Sequence, residues 1–97
     1  MPTYIVLANY TDQGVKTIKA APQRMEAASK RIAGMGGKIK DVYYTLGQYD
    51  FVVVFEFPND DAFLSFAMQI AQDGNVRFTT MKAYPRDNAL KIIQGLP

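Results

Sequence analysis

The chain carries no cysteine, no histidine and no tryptophan in its 97 residues. Without cysteine it has no disulfide and no thiolate nucleophile. Without histidine it cannot run Ser–His–Asp or Cys–His catalysis, and nearly every zinc or haem ligation scheme is closed to it. Carboxylates alone can hold a hard cation, but no Asp/Glu cluster has calcium-loop spacing. No metal and no cofactor are therefore expected. Long apolar runs are missing as well: nothing approaches the ~18 consecutive apolar residues of a membrane span. The start of the chain lacks the charged and then apolar segments of a secretory leader. Charge of one sign is also lacking, because 11 Lys and Arg are interspersed with 9 Asp and Glu for a net +2. The densest basic stretch, Lys30-Arg31 with Lys38 and Lys40, is broken by Ala33, Gly34, Met35, Gly36 and Gly37. Nucleic-acid binders concentrate their basic residues in a stripe. The expected partners thus include no nucleic acid and no membrane, and a chain without cysteine suits the reducing cytoplasm.

What is present reads as one domain over residues 1–97. Thr3 to Tyr10, rich in β-branched and aromatic residues, predicts a strand. Thr11 is placed to cap a short helical piece carrying Val15 and Ile18, and Pro22 suits the first turn of a new helix. Met25, Ala28, Ile32 and Met35 then recur at helical spacing until Gly36-Gly37, so the helix is expected to break or kink before Pro22. Lys38 to Leu46 and Asp50 to Phe57 predict two strands joined through the turn Gly47-Gln48-Tyr49-Asp50. Asn59 or Asp60 is placed to cap a second helix with Phe63, Phe66, Ala67, Ile70 and Ala71 on one face, closed by Gly74. Asn75 to Tyr84 predicts the last strand. Asp87 is a candidate cap for a short tail helix with Ala89, Ile92, Ile93 and Leu96 on one side. The order β-α-β-β-α-β predicts an α+β, ferredoxin-like sandwich with an antiparallel sheet in the order 4-1-3-2 and a short C-terminal helix.

The strand after the turn is apolar on both parities, with Phe51, Val53, Phe55 and Phe57 against Val52 and Val54. The first strand likewise sets Ile5 and Leu7 against Tyr4, Val6 and Ala8. Helices cover one sheet face, so several large apolar groups are left on the other. A second copy packed sheet to sheet is the expected cover, making a homodimer or a higher oligomer. The alternative is a monomer whose own tail helix lies across that face. Met25, Met35, Met68 and Met81 read as core filler.

The 4-1-3-2 order gathers four features at one end of the sheet: Asn9, Tyr10 and Thr11; the turn from Gly47 to Asp50; Gly74 to Arg77; and the N-terminus of the first helix, a place for an anion. Candidate ligand-binding residues are Tyr4, Tyr10, Thr11, Tyr49, Asp50 and Arg77. Candidate catalytic residues are Asp50, Glu56 and Tyr49. Arg77 either pairs directly with Asp50 or reaches it through Tyr10, water or a ligand. Each candidate also has a plain structural role: Gly47 for a positive φ in the turn, Asp50 to accept nearby backbone amides, and the tyrosines to fill the pleat. Glu56 interrupts an otherwise apolar strand, so its carboxylate must be paired, raised in pKa or near an interface.

These residues together resemble the GYD domain family, small bacterial and archaeal proteins named for a Gly-x-Tyr-Asp motif that stands here as Gly47-Gln48-Tyr49-Asp50. The similarity also takes in Pro2-Thr3-Tyr4, Tyr10-Thr11-Asp12-Gln13-Gly14, Gly36-Gly37, Phe51-Val52-Val53-Val54 with Glu56, and Gly74-Asn75-Val76-Arg77. Tyr10 stands where an aromatic, often Trp, is usual, and Phe57 where a small residue is common. The resemblance implies a ferredoxin-like fold of the dimeric α/β-barrel type and no particular reaction, since such barrels serve both enzymes and effector-binding domains.

Three functions compete. The first is a homodimeric small-molecule-binding domain with a pocket between sheet and helices. The second is a cofactor-independent, monooxygenase- or isomerase-like enzyme on a small aromatic or oxidisable substrate, with Asp50 or Glu56 as base and Tyr49 or Arg77 polarising an oxygen. The third is a structural or assembly subunit, whose mark is a filled interior with no cavity.

Overall fold

Residues 1–97 are described by a computed structural model. The elements run β1 (Thr3–Tyr10), α1 (Asp12–Lys16), a 3-10 turn (Ile18–Ala20), α2 (Ala21–Gly34), β2 (Lys38–Tyr44), β3 (Phe51–Glu56), α3 (Asp60–Asp73), β4 (Val76–Ala83) and α4 (Arg86–Gln94). Pro22 stands in the first turn of α2, where its missing N–H costs nothing, so the helix breaks where expected. Asn59 caps α3 by accepting the Ala62 amide at 2.9 Å. The tail helix begins after Pro85, and Asp87 lies in its first turn instead of capping it.

The four strands form one sheet in the order β2-β3-β1-β4. Every neighbour is antiparallel, and Tyr4, Val6 and Ala8 of β1 lie opposite Phe55, Val53 and Phe51 of β3. One side-chain parity therefore collects the largest groups, and that face carries α2 and α3. Phe55 meets Phe66 of α3 at 5.5 Å between ring centroids, and Tyr4 stacks on Phe63 at 4.2 Å. Ile32 of α2 and Phe57 are fully buried beside them. Met25 and Met35 pack against this core. Met68 and Met81 do not, being 61% and 48% exposed, because each points away from the helix–sheet layer.

The other sheet face is open. Ile5, Leu7, Val52 and Val54 are only half-buried there, and Tyr43, in register with Val52, is 62% exposed. The tail helix does not cover it, since Ile92, Ile93 and Leu96 all remain exposed. The radius of gyration is 14.8 Å, against about 12.5 Å for a compact domain of this length, and the longest axis is 53 Å. The tail helix therefore does not provide the cover for this face that the monomer alternative called for, and both surfaces are exposed on this chain. No helix is long and apolar enough to cross a membrane.

Candidate functional site

β1, the β2–β3 turn and the α3–β4 turn do meet at one end of the sheet, held by short polar contacts. Thr11 follows β1 and caps α1, its Oγ1 accepting the Gly14 amide at 3.1 Å and donating to the Gly74 carbonyl at 2.6 Å. The Thr11 amide donates to the Asn75 carbonyl at 3.1 Å. Gly14 sits so close to that carbonyl that a Cβ would lie 2.0 Å from its oxygen. The α3–β4 turn is thus pressed onto the first turn of α1. At that helix end the Thr11 hydroxyl takes up the Gly14 amide and Asp12 adds a negative charge in the first turn, which weakens the place expected there for an anion.

Asp50 works on the neighbouring strand. Its amide donates to the Ala8 carbonyl at 2.9 Å, and its carboxylate oxygen Oδ2 accepts the Tyr10 amide at 2.8 Å. The side chain so extends the β1–β3 ladder beyond the last strand residue. Gly47, at φ +124°, lets the chain turn in a conformation other residues rarely adopt. Thr45 Oγ1 donates to the Tyr49 carbonyl at 2.5 Å, closing the turn.

Behind this end lies a cavity of about 240 Å³ between the sheet and helices α2 and α3. Phe51, Val53, Phe55 and Phe78 line it from the sheet, Met25 and Ala28 from α2, and Phe66 and Ile70 from α3. Its polar residues are Tyr10, Tyr44, Arg24, Arg31, Asp73 and Asn75. The Phe51 ring has Tyr10 at 5.3 Å and Tyr44 at 5.8 Å. Burial pushes the Tyr10 phenol above its ordinary value; Tyr44 and Asp50 add to the rise while Arg24 opposes it. Arg24 donates to the Thr17 carbonyl and hydroxyl at 3.1 and 3.0 Å and to the Gly14 carbonyl at 3.3 Å. No carboxylate pairs with it. Arg31 meets Asp73 at 3.5 Å, with both side chains well exposed.

Of the residues singled out in the sequence, Tyr10 lines the cavity, and Thr11 and Asp50 brace it from behind. Tyr49 lies on the turn, outside the lining. Tyr4 is at the far end of β1, where its hydroxyl donates to Asp60 at 2.5 Å. Lys82 holds the other oxygen of that carboxylate at 3.0 Å. Arg77 stands opposite Asn9 on the open sheet face and forms no pair with Asp50. Glu56 is on the open face too, paired with Lys38 at 3.4 Å and Lys40 at 3.8 Å. Arg24, Arg31 and Tyr44 are the cavity residues that sequence reasoning passed over. Arg24 and Arg31 flank the apolar positions of α2 at a two-turn spacing, which is the signal that would have found them.

The Asp50 carboxylate is engaged by a backbone amide, Asp73 by Arg31, and Glu56 faces away from the cavity. No three His, Cys, Asp or Glu side chains lie together as metal ligands would.

A sequence profile described as the GYD domain matches residues 4–93. The glutamine synthetase and cystathionine beta-lyase binding protein of Thermus thermophilus is 33% identical over 86 residues, covering 88% of this chain and 90% of that protein. Among solved structures, MtbAldR superposes with a TM-score of 0.68 at 19% identity, covering 88% of this chain, which spans only 54% of that one. FFRP-DM1 superposes with a TM-score of 0.60 at 21% identity, covering 87% of this chain and all of that one. At such identities these two structures speak for the ferredoxin-like fold alone.

Proposed function

The chain belongs to the GYD domain family, and from that footing we propose that it is a non-catalytic, homodimeric domain that binds a small molecule between its sheet and its helices. The observation that carries this is the apolar cavity of about 240 Å³ with its tyrosine- and arginine-bearing rim. A mostly apolar concavity with a few convergent polar groups is the ordinary make-up of a ligand site. An assembly subunit would have a filled interior, and this one is not filled. An enzyme of the monooxygenase or isomerase kind would need a free base near the substrate. The carboxylates of this chain are paired, committed to the backbone or turned away.

Dimerisation rests on the open sheet face. Ile5, Leu7, Val52 and Val54 form a continuous apolar patch with the exposed Tyr43 and Met81 around it. In a two-fold pair each copy would cover the other's patch. The cytoplasm is the compartment this reading assigns. A thermal-shift screen of small aromatic, acidic and amino-acid metabolites tests the binding reading, and no stabilisation by any class would defeat it. A monomer mass by light scattering at micromolar concentration would defeat the dimer.

A second reading is favoured by one relative. The Thermus thermophilus protein, 33% identical, is named for binding two enzymes of amino-acid metabolism. The same role here would use the outer surface and leave the cavity for a small effector. Isothermal titration of the purified protein against glutamine synthetase and cystathionine beta-lyase tests it, with no heat of binding to either as the refuting result.

A further inference from the structure

The cavity has an uneven distribution of charge that narrows what it holds. Its walls carry the rings of Phe51, Phe55, Phe66 and Phe78, while its polar residues include two guanidinium groups and a single carboxylate, that of Asp73. Arg31 offsets Asp73. Arg24 has no anionic partner and spends its hydrogen bonds on neutral carbonyl and hydroxyl oxygens. A guanidinium bound only to neutral oxygens beside an apolar cavity is primed for an anion that brings its own apolar body. Tyr10 and Tyr44 both pack against the Phe51 ring, at 5.3 and 5.8 Å between centroids, and bring their two hydroxyls to the same region.

Size and the missing acceptors sharpen this. An apolar cavity of about 150 Å³ accommodates a benzene molecule, so about 240 Å³ leaves room for one ring and a short arm. A ligand ammonium would need a carboxylate in the cavity, and the single one in its lining, Asp73, already faces Arg31 at 3.5 Å, while Asp50 lies outside the lining and holds the Tyr10 amide. We infer that the ligand is a small monocarboxylate bearing a single aromatic ring and no ammonium group, with the ring against Phe51, Phe55 and Phe78 and the carboxylate at Arg24 beside Tyr10 and Tyr44. The inference rests on the small-molecule-binding reading and adds the ligand's charge and shape.

Three probes of one shape separate the two claims: 3-phenylpropanoate, its neutral amide, and 3-phenylpropylamine, each titrated calorimetrically into the full-length protein. The acid should bind at least about tenfold more tightly than the amide, the advantage expected of a charge-assisted bond, with the amine weakest. Its affinity should fall between about 50 mM and about 0.5 M sodium chloride while that of the amide holds. Arg24→Gln should bring the acid down to the level of the amide. Because Arg24 also ties α1 to α2, the salt comparison on the unaltered protein stands as the parallel test should that variant fail to fold. An amide equal to the acid, or an amine that binds best, overturns the charge assignment and leaves the binding reading intact. If none of the three binds at millimolar concentration, the ligand's assigned shape and charge fall, while the binding reading is decided separately by the metabolite screen. Binding of the acid that neither salt nor Arg24→Gln weakens overturns the place given to Arg24.

Discussion

Replacing Asp50 by alanine removes the acceptor of the Tyr10 amide, a contact of 2.8 Å. The Asp50 amide would keep its bond to the Ala8 carbonyl, since that bond is backbone to backbone. The loss is therefore a single charge-assisted hydrogen bond at a partly buried strand end, worth about 1.5–3 kcal/mol. Asparagine retains an oxygen of the same reach and should lose only the charge, about 0.5–1.5 kcal/mol. For a domain of this size the alanine loss corresponds to a fall in melting temperature on the order of 10 °C. Urea unfolding followed by circular dichroism reads both variants, and the slope should not change because the buried surface does not. Tyr10 lines the cavity, so Asp50→Ala should also weaken any ligand, whereas Asp50→Asn should largely keep it. An alanine variant within about 0.5 kcal/mol of the parent would refute the reasoning. So would an asparagine variant as damaged as the alanine one, because the carboxylate's role would then be something other than accepting this amide.

Other positions yield equally specific expectations. Gly14→Ala would place a Cβ 2.0 Å from the Asn75 carbonyl oxygen; forcing the α3–β4 turn off α1 should cost at least about 1–3 kcal/mol, and an unchanged thermal melt would contradict the packing described. Burial first, and Asp60 second, push the Tyr4 phenol up from 10.0 to about 12. The folded state thus favours the neutral phenol, so this contribution is whole below pH 10.0 and is lost as pH rises through about 12. Urea midpoints should fall more steeply over that window for the parent than for Tyr4→Phe, and parallel curves would count against it. Asp60 runs the opposite way: the Tyr4 hydrogen bond, then Lys82, hold its carboxyl below the usual 3.8. Its contribution is present above that pH and is lost as pH falls below it, so Asp60→Asn should flatten the acid limb of a urea-midpoint profile. Paired substitution of Tyr43→Asp and Met81→Lys, both on the open face, should halve the mass seen by light scattering without altering the far-ultraviolet spectrum; a retained dimer would place the interface elsewhere.

Local patterning alone determined the order of elements, the break before Pro22, the capping roles of Thr11 and Asn59, and the excess of apolar groups on both sheet faces. These depend on neighbours along the chain or on the two-residue period of a strand, which any reader of the sequence can apply. The site was legible only in part. Thr11, Tyr10 and Asp50 were expected to gather at one sheet end and they do, because antiparallel order alone brings those strand ends together. Tyr4 shares the parity of Tyr10, yet it sits at the opposite end of an 8-residue strand, about 20 Å away at the usual rise. Arg77 lies at the right end but on the wrong face, since Val76 and Phe78 on either side of it pack inward. Arg24 and Arg31 reached the site by a different route, through the angle at which α2 lies across the sheet. That angle is set by how Met25, Ala28 and Ile32 pack on the strands, a property of the assembled core that no local pattern states. Whether the core would close or leave a cavity was decided there too, because a void depends on how all facing side chains fill one volume at once.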